Sequence, residues 1–320
     1  MSCLFYVWQN GHSSFFKFQP VMLKTRITLV IMLLVLQFKV SACDACGCSI
    51  MGQPTGLLST YRKSFISIGY GQAGFSSVPG TGEGTIDAFH TVDMSFDYYF
   101  SDRLRGGIYL PFRLNTRTVN QSMQEIRGMA DIRLDANYTF FKRDNGMSPL
   151  EIYLEGGMGM ILPTGKYDAD IHNQNLPENF NIGNGSFGFS LQQTSGFSYR
   201  SFGAVIKNTL TDYKETSKGY EYGAQWASSL LILAEIPVDS MVSVIPLGSV
   251  QYEKIWSDAY ATGANVHGTG GHGVFVSAGC QLKIKSWLCT FQYSLPIADQ
   301  YSHGEVNAGN RYTFQMTHLF

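Results

Sequence analysis

The sequence predicts an all-β chain, a transmembrane antiparallel barrel of about 12 strands, on three observations. Apolar and polar residues alternate with period 2 almost to the C-terminus, the alternating runs exceed ten residues, and no segment past residue 42 keeps a 3.6-residue apolar period. Only 15% of the residues are charged, while there are 34 Gly, 22 Phe and 18 Tyr, a mixture of turn formers and interface aromatics. A formal net charge of -1 offers no basic stripe and so argues against a nucleic-acid partner. A soluble β-sandwich, the competing all-β fold, would use shorter strands.

The N-terminal part reads as a leader. Ile27 to Leu36, apolar except for Thr28, is the longest apolar stretch, preceded by Lys24 and Arg26 and followed by Val40-Ser41-Ala42. It is too short for a spanning helix, which needs roughly 20 residues, and fits a signal peptide cleaved before Cys43. Met22 then serves as the start, and residues 1–42 form a removed leader. Val40-Ser41-Ala42-Cys43 also resembles a lipobox, which would place a lipid on Cys43.

Residues 43–61 form a periplasmic Cys-rich segment and linker. Cys43, Cys46 and Cys48 stand in a Cys-x-x-Cys-x-Cys run. Three thiolates within six residues suit a soft metal, copper or zinc, with Gly47 relaxing the backbone for the third sulfur. Oxidation to a disulfide, or lipid attachment at Cys43 alone, are the competing fates in this compartment.

Residues 62–320 are the predicted barrel. Strands are expected near 63–74, 86–100, 104–117, 127–142, 150–162, 185–196, 201–211, 220–236, 241–254, 273–284, 287–295 and 310–320. The clearest alternation places Ala130, Ile132, Leu134, Ala136, Tyr138 and Phe140 on the lipid face, with Asp131, Arg133, Asp135, Asn137 and Thr139 opposite. Upstream, Ile108, Leu110, Phe112 and Leu114 oppose Arg105, Tyr109, Arg113 and Asn115. Val92, Met94, Phe96 and Tyr98 likewise oppose Thr91, Asp93, Ser95 and Asp97. Tight turns at 101–103, 143–146, 238–240 and 285–286 separate longer loops at 79–84, 119–126, 163–184, 212–219, 257–272 and 298–309. Short periplasmic turns and long extracellular loops are expected from this asymmetry. The terminal Phe320 follows Tyr312, Phe314 and Met316 on one face, resembling the C-terminal signature of outer-membrane barrels of Gram-negative bacteria.

Four short motifs recur where strands meet loops: Leu110-Pro111-Phe112, Gly128-Met129-Ala130-Asp131-Ile132, Leu162-Pro163-Thr164-Gly165 and Gly183-Asn184-Gly185-Ser186. In order and spacing, over about residues 110–252, they resemble the transporter-like barrels of the phenol-degradation-pathway type, which are distantly similar to the long-chain fatty-acid transporters. The resemblance implies an outer-membrane barrel for small, often hydrophobic molecules. An apolar plug helix is missing between Cys43 and Tyr61, which departs from the fatty-acid transporters.

The expected lumen-lining residues are Asp93, Asp97, Arg105, Arg113, Asp131, Arg133, Asp135, Glu151 and Glu155, with Lys207, Glu235, Glu253 and Lys283 on the same face. Opposite charges there either pair across strands and hold the wall, or line a selective polar path. No catalytic constellation is expected: His90 and His318 lie on outward faces without a matching Ser or Asn set. Cys280 and Cys289 fall on the outward face of one hairpin and are expected as free apolar side chains rather than a disulfide. The loop histidines His172, His267, His272 and His303 lack the fixed spacing of a metal site. The functional expectation is a channel or transporter for a small solute, embedded in outer-membrane lipid and carrying a periplasmic Cys segment open to a partner. A non-conducting barrel that anchors or senses is the alternative.

Overall fold

The computed structural model describes residues 62–77, 84–143 and 149–320. The expected leader, residues 1–42, and Cys43, Cys46 and Cys48 lie outside the described residues. What is described is a closed barrel of twelve antiparallel strands.

In chain order the strands are β1 (Phe65–Ser77), β2 (Thr85–Tyr99), β3 (Leu104–Val119) and β4, which runs as Ser122–Met129 and then Ile132–Arg143. They continue with β5 (Leu150–Leu162), β6 (Gly188–Tyr199), β7 (Phe202–Tyr213) and β8, formed by Gln225–Ala234 and Ile236–Pro237. The last four are β9 (Val242–Ile255), β10 (Gly271–Ile284), β11 (Trp287–Tyr301) and β12 (Val306–Leu319). Each strand pairs with its sequence neighbours, and β1 closes the barrel by pairing both β2, with Phe65 opposite Asp97, and β12, with Phe65 opposite Leu319. Closure leaves no edge strand, the condition for a sheet in hydrocarbon, where no water is present to satisfy an unpaired N–H or C=O.

The alternation expected on β2, β3 and β4 holds at most positions. Val92, Met94, Phe96, Tyr98, Ile108, Phe112, Leu134 and Tyr138 are exposed, whereas Thr91, Asp93, Ser95, Asp97, Asn115, Asn137 and Thr139 are buried. Ala130 is the exception. Expected on the lipid face, it is fully buried, because β4 breaks at Ala130-Asp131 and the parity reverses there: Ile126 faces inward before the break, and Asn137 and Thr139 after it.

The outer wall carries aromatic groups toward both ends of the strands. Phe96 stacks on Phe320 and Tyr98, Tyr138 meets Phe140, and Trp287 meets His318 at the periplasmic end; Trp226 packs on Tyr252 at the other. These amphipathic rings are stable at headgroup level, where one side is apolar and the other wet. Cys280 and Cys289 are free thiols, with Cys280 opposite Phe291 and Cys289 opposite Leu282, so the register does not set them face to face.

Two expected loops are shorter than anticipated. Asn120 and Gln121, both with positive φ, turn β3 directly into β4, so the expected loop at 119–126 is a hairpin with Val119 paired to Ser122. Two successive left-handed residues match the right-handed twist of the flanking strands. The expected loop at 298–309 shrinks to residues 302–305, as β11 extends to Tyr301 and β12 begins at Val306. The start expected for β8 is also corrected, since Tyr220–Glu221 pairs with Ala259–Tyr260 in the loop layer and β8 begins at Gln225.

Inside, apolar residues gather at both ends. Phe65, Leu231, Leu233, Ile245, Leu247, Leu288 and Leu319 fill part of the periplasmic half. Each such side chain contributes about 1.5–3 kcal/mol on burial, so this cluster ties β1, β8, β9, β11 and β12 together across the lumen. Toward the extracellular side Phe75, Phe89 and Tyr301 of the wall enclose Ile171, Leu176 and Phe180 of the loop after β5.

Candidate functional site in the barrel lumen

Glu155 on β5 is the hub of the periplasmic half. Only 4% exposed, it accepts from Arg62 at 2.7 Å and Arg105 at 2.6 Å, and Arg105 also pairs with Asp97. The Arg62 guanidinium lies 4.6 Å from the Tyr153 ring centroid and 5.6 Å from that of Tyr99, so its weakly hydrated faces meet aromatic surface while its N–H groups reach the carboxylate. A buried charge is tolerated only when paired and hydrogen-bonded, which this network achieves.

The remaining expected lumen residues divide by what they touch. Asp135 accepts from Gln192 at 2.7 Å, and Glu151 accepts from Ser198 at 3.3 Å nearer the periplasmic rim. Asp93, expected beside the arginines of β3, is buried against Gly69 and forms no ion pair among the described residues, because the register sets it opposite Pro111. Arg133 lies 5.9 Å from the Tyr109 ring centroid. Arg113 donates to the carbonyl of Ile182 at 3.3 Å. Glu235 and Lys283 pair at 3.3 Å. Arg311 forks onto Glu253 at 2.7 and 2.9 Å beneath Tyr301, with its guanidinium 3.6 Å from the Phe275 ring centroid. Arg117 engages Asp87 through two donors. Arg311, Arg117 and Asp87 were legible from parity alone, because each shares the odd-numbered inward face of its strand. Arg62 precedes the first strand and had no such signal.

Asp131 holds a loop. Its carboxylate accepts the backbone N–H of Gly165 at 2.9 Å and of Asn184 at 2.7 Å, joining the two ends of the segment between β5 and β6. Thr164 Oγ1 accepts from the Ile132 amide at 3.0 Å, and the Ala130 amide donates to Pro111 O at 2.9 Å. Gly165 and Gly183 lie so close that a Cβ on either would collide with the other's backbone. The four motifs recognised in the sequence therefore meet at one point, the base of this loop.

From that base the loop turns inward, where an extracellular excursion was expected. Ile171, Phe180 and Ile182 are fully buried, Asn115 donates to the Phe180 carbonyl at 2.9 Å, and the Arg117 guanidinium lies 5.5 Å from the Phe180 ring centroid. Other loops lock onto it and onto each other. Lys218 reaches Asp170 at 2.9 Å, Asp258 accepts from Tyr220 and from the Gly223 amide, and Ser302 donates to Gly268 O at 2.9 Å. Burial raises the carboxyl pKa values of Glu178 and Asp258. Burial and a hydrogen bond to Glu178 push the Tyr167 hydroxyl up to about 12.

The loop histidines are dispersed: His172 stands 3.2 Å from Glu178, His267 stacks on His303, and His272 packs against Tyr252. Among the described residues no three His, Cys, Asp or Glu side chains are grouped to hold a metal. His90 accepts or donates a hydrogen bond with Tyr70 at 2.8 Å on the outer wall.

Between the infolded loop and the periplasmic apolar cluster lies a cavity of about 220 Å³, bounded by Asp97, Arg105, Arg133, Asp135, Glu155 and Lys207 among others.

A closed twelve-strand wall, apolar outside and charged within, defines an outer-membrane β-barrel of the Gram-negative type. Among solved structures it is similar to an outer-membrane channel from Pseudomonas putida F1, with a TM-score of 0.61 and 12% identity over 84% of this chain and 100% of that one. The β domain of the Bordetella autotransporter BrkA is less similar, with a TM-score of 0.48 and 11% identity over 81% of this chain and 100% of that one. The NanC porin has a TM-score of 0.44 and 8% identity over 80% of this chain and 100% of that one. No family model and no curated protein matches the sequence. At these identities the likeness concerns the fold.

Proposed function

We propose that this protein is an outer-membrane channel that admits a small solute through the charged lumen, and that its activity is transport rather than catalysis. The observation that carries the reading is the cavity of about 220 Å³ inside the wall, lined by cations and carboxylates and narrowed by an infolded loop. A barrel built only as an anchor needs no such chamber. The likeness in fold to the Pseudomonas putida F1 channel supports the reading. The four converging motifs support membership of the transporter-like barrels of the phenol-degradation type. Outer-membrane lipid, the solute and a periplasmic protein are the proposed partners.

The non-conducting alternative draws on the apolar residues at both ends of the lumen. Purified protein in planar bilayers decides between them: discrete current steps are expected, and their complete absence overturns the channel reading. The Cys43, Cys46 and Cys48 segment is proposed to hold copper or zinc on the periplasmic side. Mass spectrometry of the mature N-terminus, with metal analysis of wild type against Cys46→Ser/Cys48→Ser, tests it. Acylation at Cys43, or equal metal content in the two proteins, removes the three-thiolate site.

A further inference from the structure

The charges around the cavity are engaged unequally. Every carboxylate that lines it already accepts a hydrogen bond from the protein: Asp97 from Arg105, Glu155 from Arg62 and Arg105, Asp135 from Gln192, and Asp131 from two backbone amides. Two of the cations do not share this satisfaction. Lys207 on β7 lines the cavity without an ion pair or hydrogen bond to the described residues. Arg133 on β4 also lines it without an ion pair, and its Nε is buried with no acceptor. Each lining carboxylate thus has at least one protein donor, while Lys207 and the Arg133 Nε have no acceptor among the described residues, so the chamber has unmet capacity for negative charge. On the same cavity Phe65, Val205 and Leu231 present apolar surface. Its volume is about 220 Å³.

We infer that the lumen holds a binding site for a small organic anion, with Lys207 and Arg133 engaging its carboxylate-like group and the apolar arc taking its hydrocarbon part. This rests on the channel reading and names the solute class for that same site. A carboxylate meets Arg and Lys through short, charge-assisted hydrogen bonds. It would give Lys207 and Arg133 the anionic partner they lack among the described residues, whereas a cation would meet carboxylates that each already accept from a protein donor.

The test uses the full-length protein in planar bilayers, with butyrate as probe and butyramide as its neutral isostere. Wild type is expected to pass chloride in preference to potassium, and butyrate, but not butyramide, is expected to reduce the chloride current with concentration. Lys207→Met/Arg133→Met should lower the chloride-to-potassium permeability ratio by about tenfold, the lower end of electrostatic enrichment in a charged cleft, and abolish the butyrate effect. Current steps without anion preference, equal effects of butyrate and butyramide, or an unchanged double variant would overturn the site and leave the channel standing. If no steps occur, the channel reading falls and calorimetric titration of butyrate into the folded protein in detergent decides the site: binding by wild type but not by the double variant supports it, and no binding overturns it. A heat-modifiable gel shift reports folding. Should the double variant fail to fold, the wild-type contrast between butyrate and butyramide decides.

Discussion

Replacing Glu155 by Gln removes one charge from a site where two arginines converge. In the folded barrel Arg62 and Arg105 approach the Glu155 carboxylate at 2.7 and 2.6 Å, and the carboxylate side chain is 5% exposed. After substitution Arg105 keeps Asp97, while Arg62 keeps only its aromatic contacts with Tyr99 and Tyr153 and its hydrogen bond to Thr139. Removing one partner of a buried ion pair costs about 3–5 kcal/mol, because a buried charge is left uncompensated. Cation–π attraction offsets roughly 0.5–2 kcal/mol of this. A net loss of about 3 kcal/mol is expected, close to a hundredfold in the folding equilibrium at about 1.4 kcal/mol per factor of ten. Urea titration of the protein folded into phospholipid vesicles, followed by the heat-modifiable gel shift, measures it. The variant Glu155→Gln/Arg62→Met should recover part of the loss, since it removes the stranded cation as well. If Glu155→Gln unfolds at the wild-type urea concentration, lumenal water screens these charges and the network does not hold the wall.

Three further perturbations probe other parts of the structure. Leu134→Arg places a charge on the lipid face and should cost about 2–4 kcal/mol near mid-bilayer; wild-type folding of this variant would reverse the assigned parity. Asp131→Ala leaves the Gly165 and Asn184 amides without their acceptor, at about 1–3 kcal/mol for each buried donor. Faster amide hydrogen exchange and proteolysis across residues 163–184 are expected, and unchanged protection would show that the loop is held by its apolar residues alone. Glu178 and Asp258 have raised pKa values, so the folded loops bind protons more tightly than the open chain. Their contribution to loop stability is therefore greatest in acid and declines as pH rises from the ordinary carboxylate value, 4.5 for Glu178, through the raised one. Hydrogen exchange in the loop layer should slow as pH falls through the raised carboxyl range toward the ordinary one, after correction for intrinsic rates, and the opposite trend would reject the burial of these carboxyls.

The wall of this protein was legible because its cause is local. A strand sends successive side chains to opposite faces, and a bilayer on one face with water on the other imposes a two-residue period that survives without any knowledge of partners. Twelve strands, the exposed row from Val92 to Tyr98 and the buried positions Asp93, Asp97, Asn137 and Thr139 all follow from it. Where a local rule was broken, at the Ala130-Asp131 interruption of β4, the alternation placed Ala130 on the wrong face. The motifs around it were visible as words but not as a junction, because Asp131, Gly165 and Asn184 meet only when two hairpins lie side by side.

Tertiary structure decided everything that depends on register or on the direction of a loop. Sequence set arginines and carboxylates on one face. The stagger of β2, β3 and β5 chose Asp97 and Glu155 as partners of Arg105, left Asp93 opposite a proline, and brought Arg62 from before the first strand onto Glu155. The turn of residues 163–184 into the lumen has the same origin. Ile171, Leu176, Phe180 and Ile182 fall at intervals of five, four and two residues, which match neither a helix nor a strand stripe, and only a barrel mouth already lined by Phe75, Phe89 and Tyr301 offers them an apolar surface to cover. Period 2 is a property of each strand by itself, whereas the identity of a charge's partner is a property of the closed cylinder.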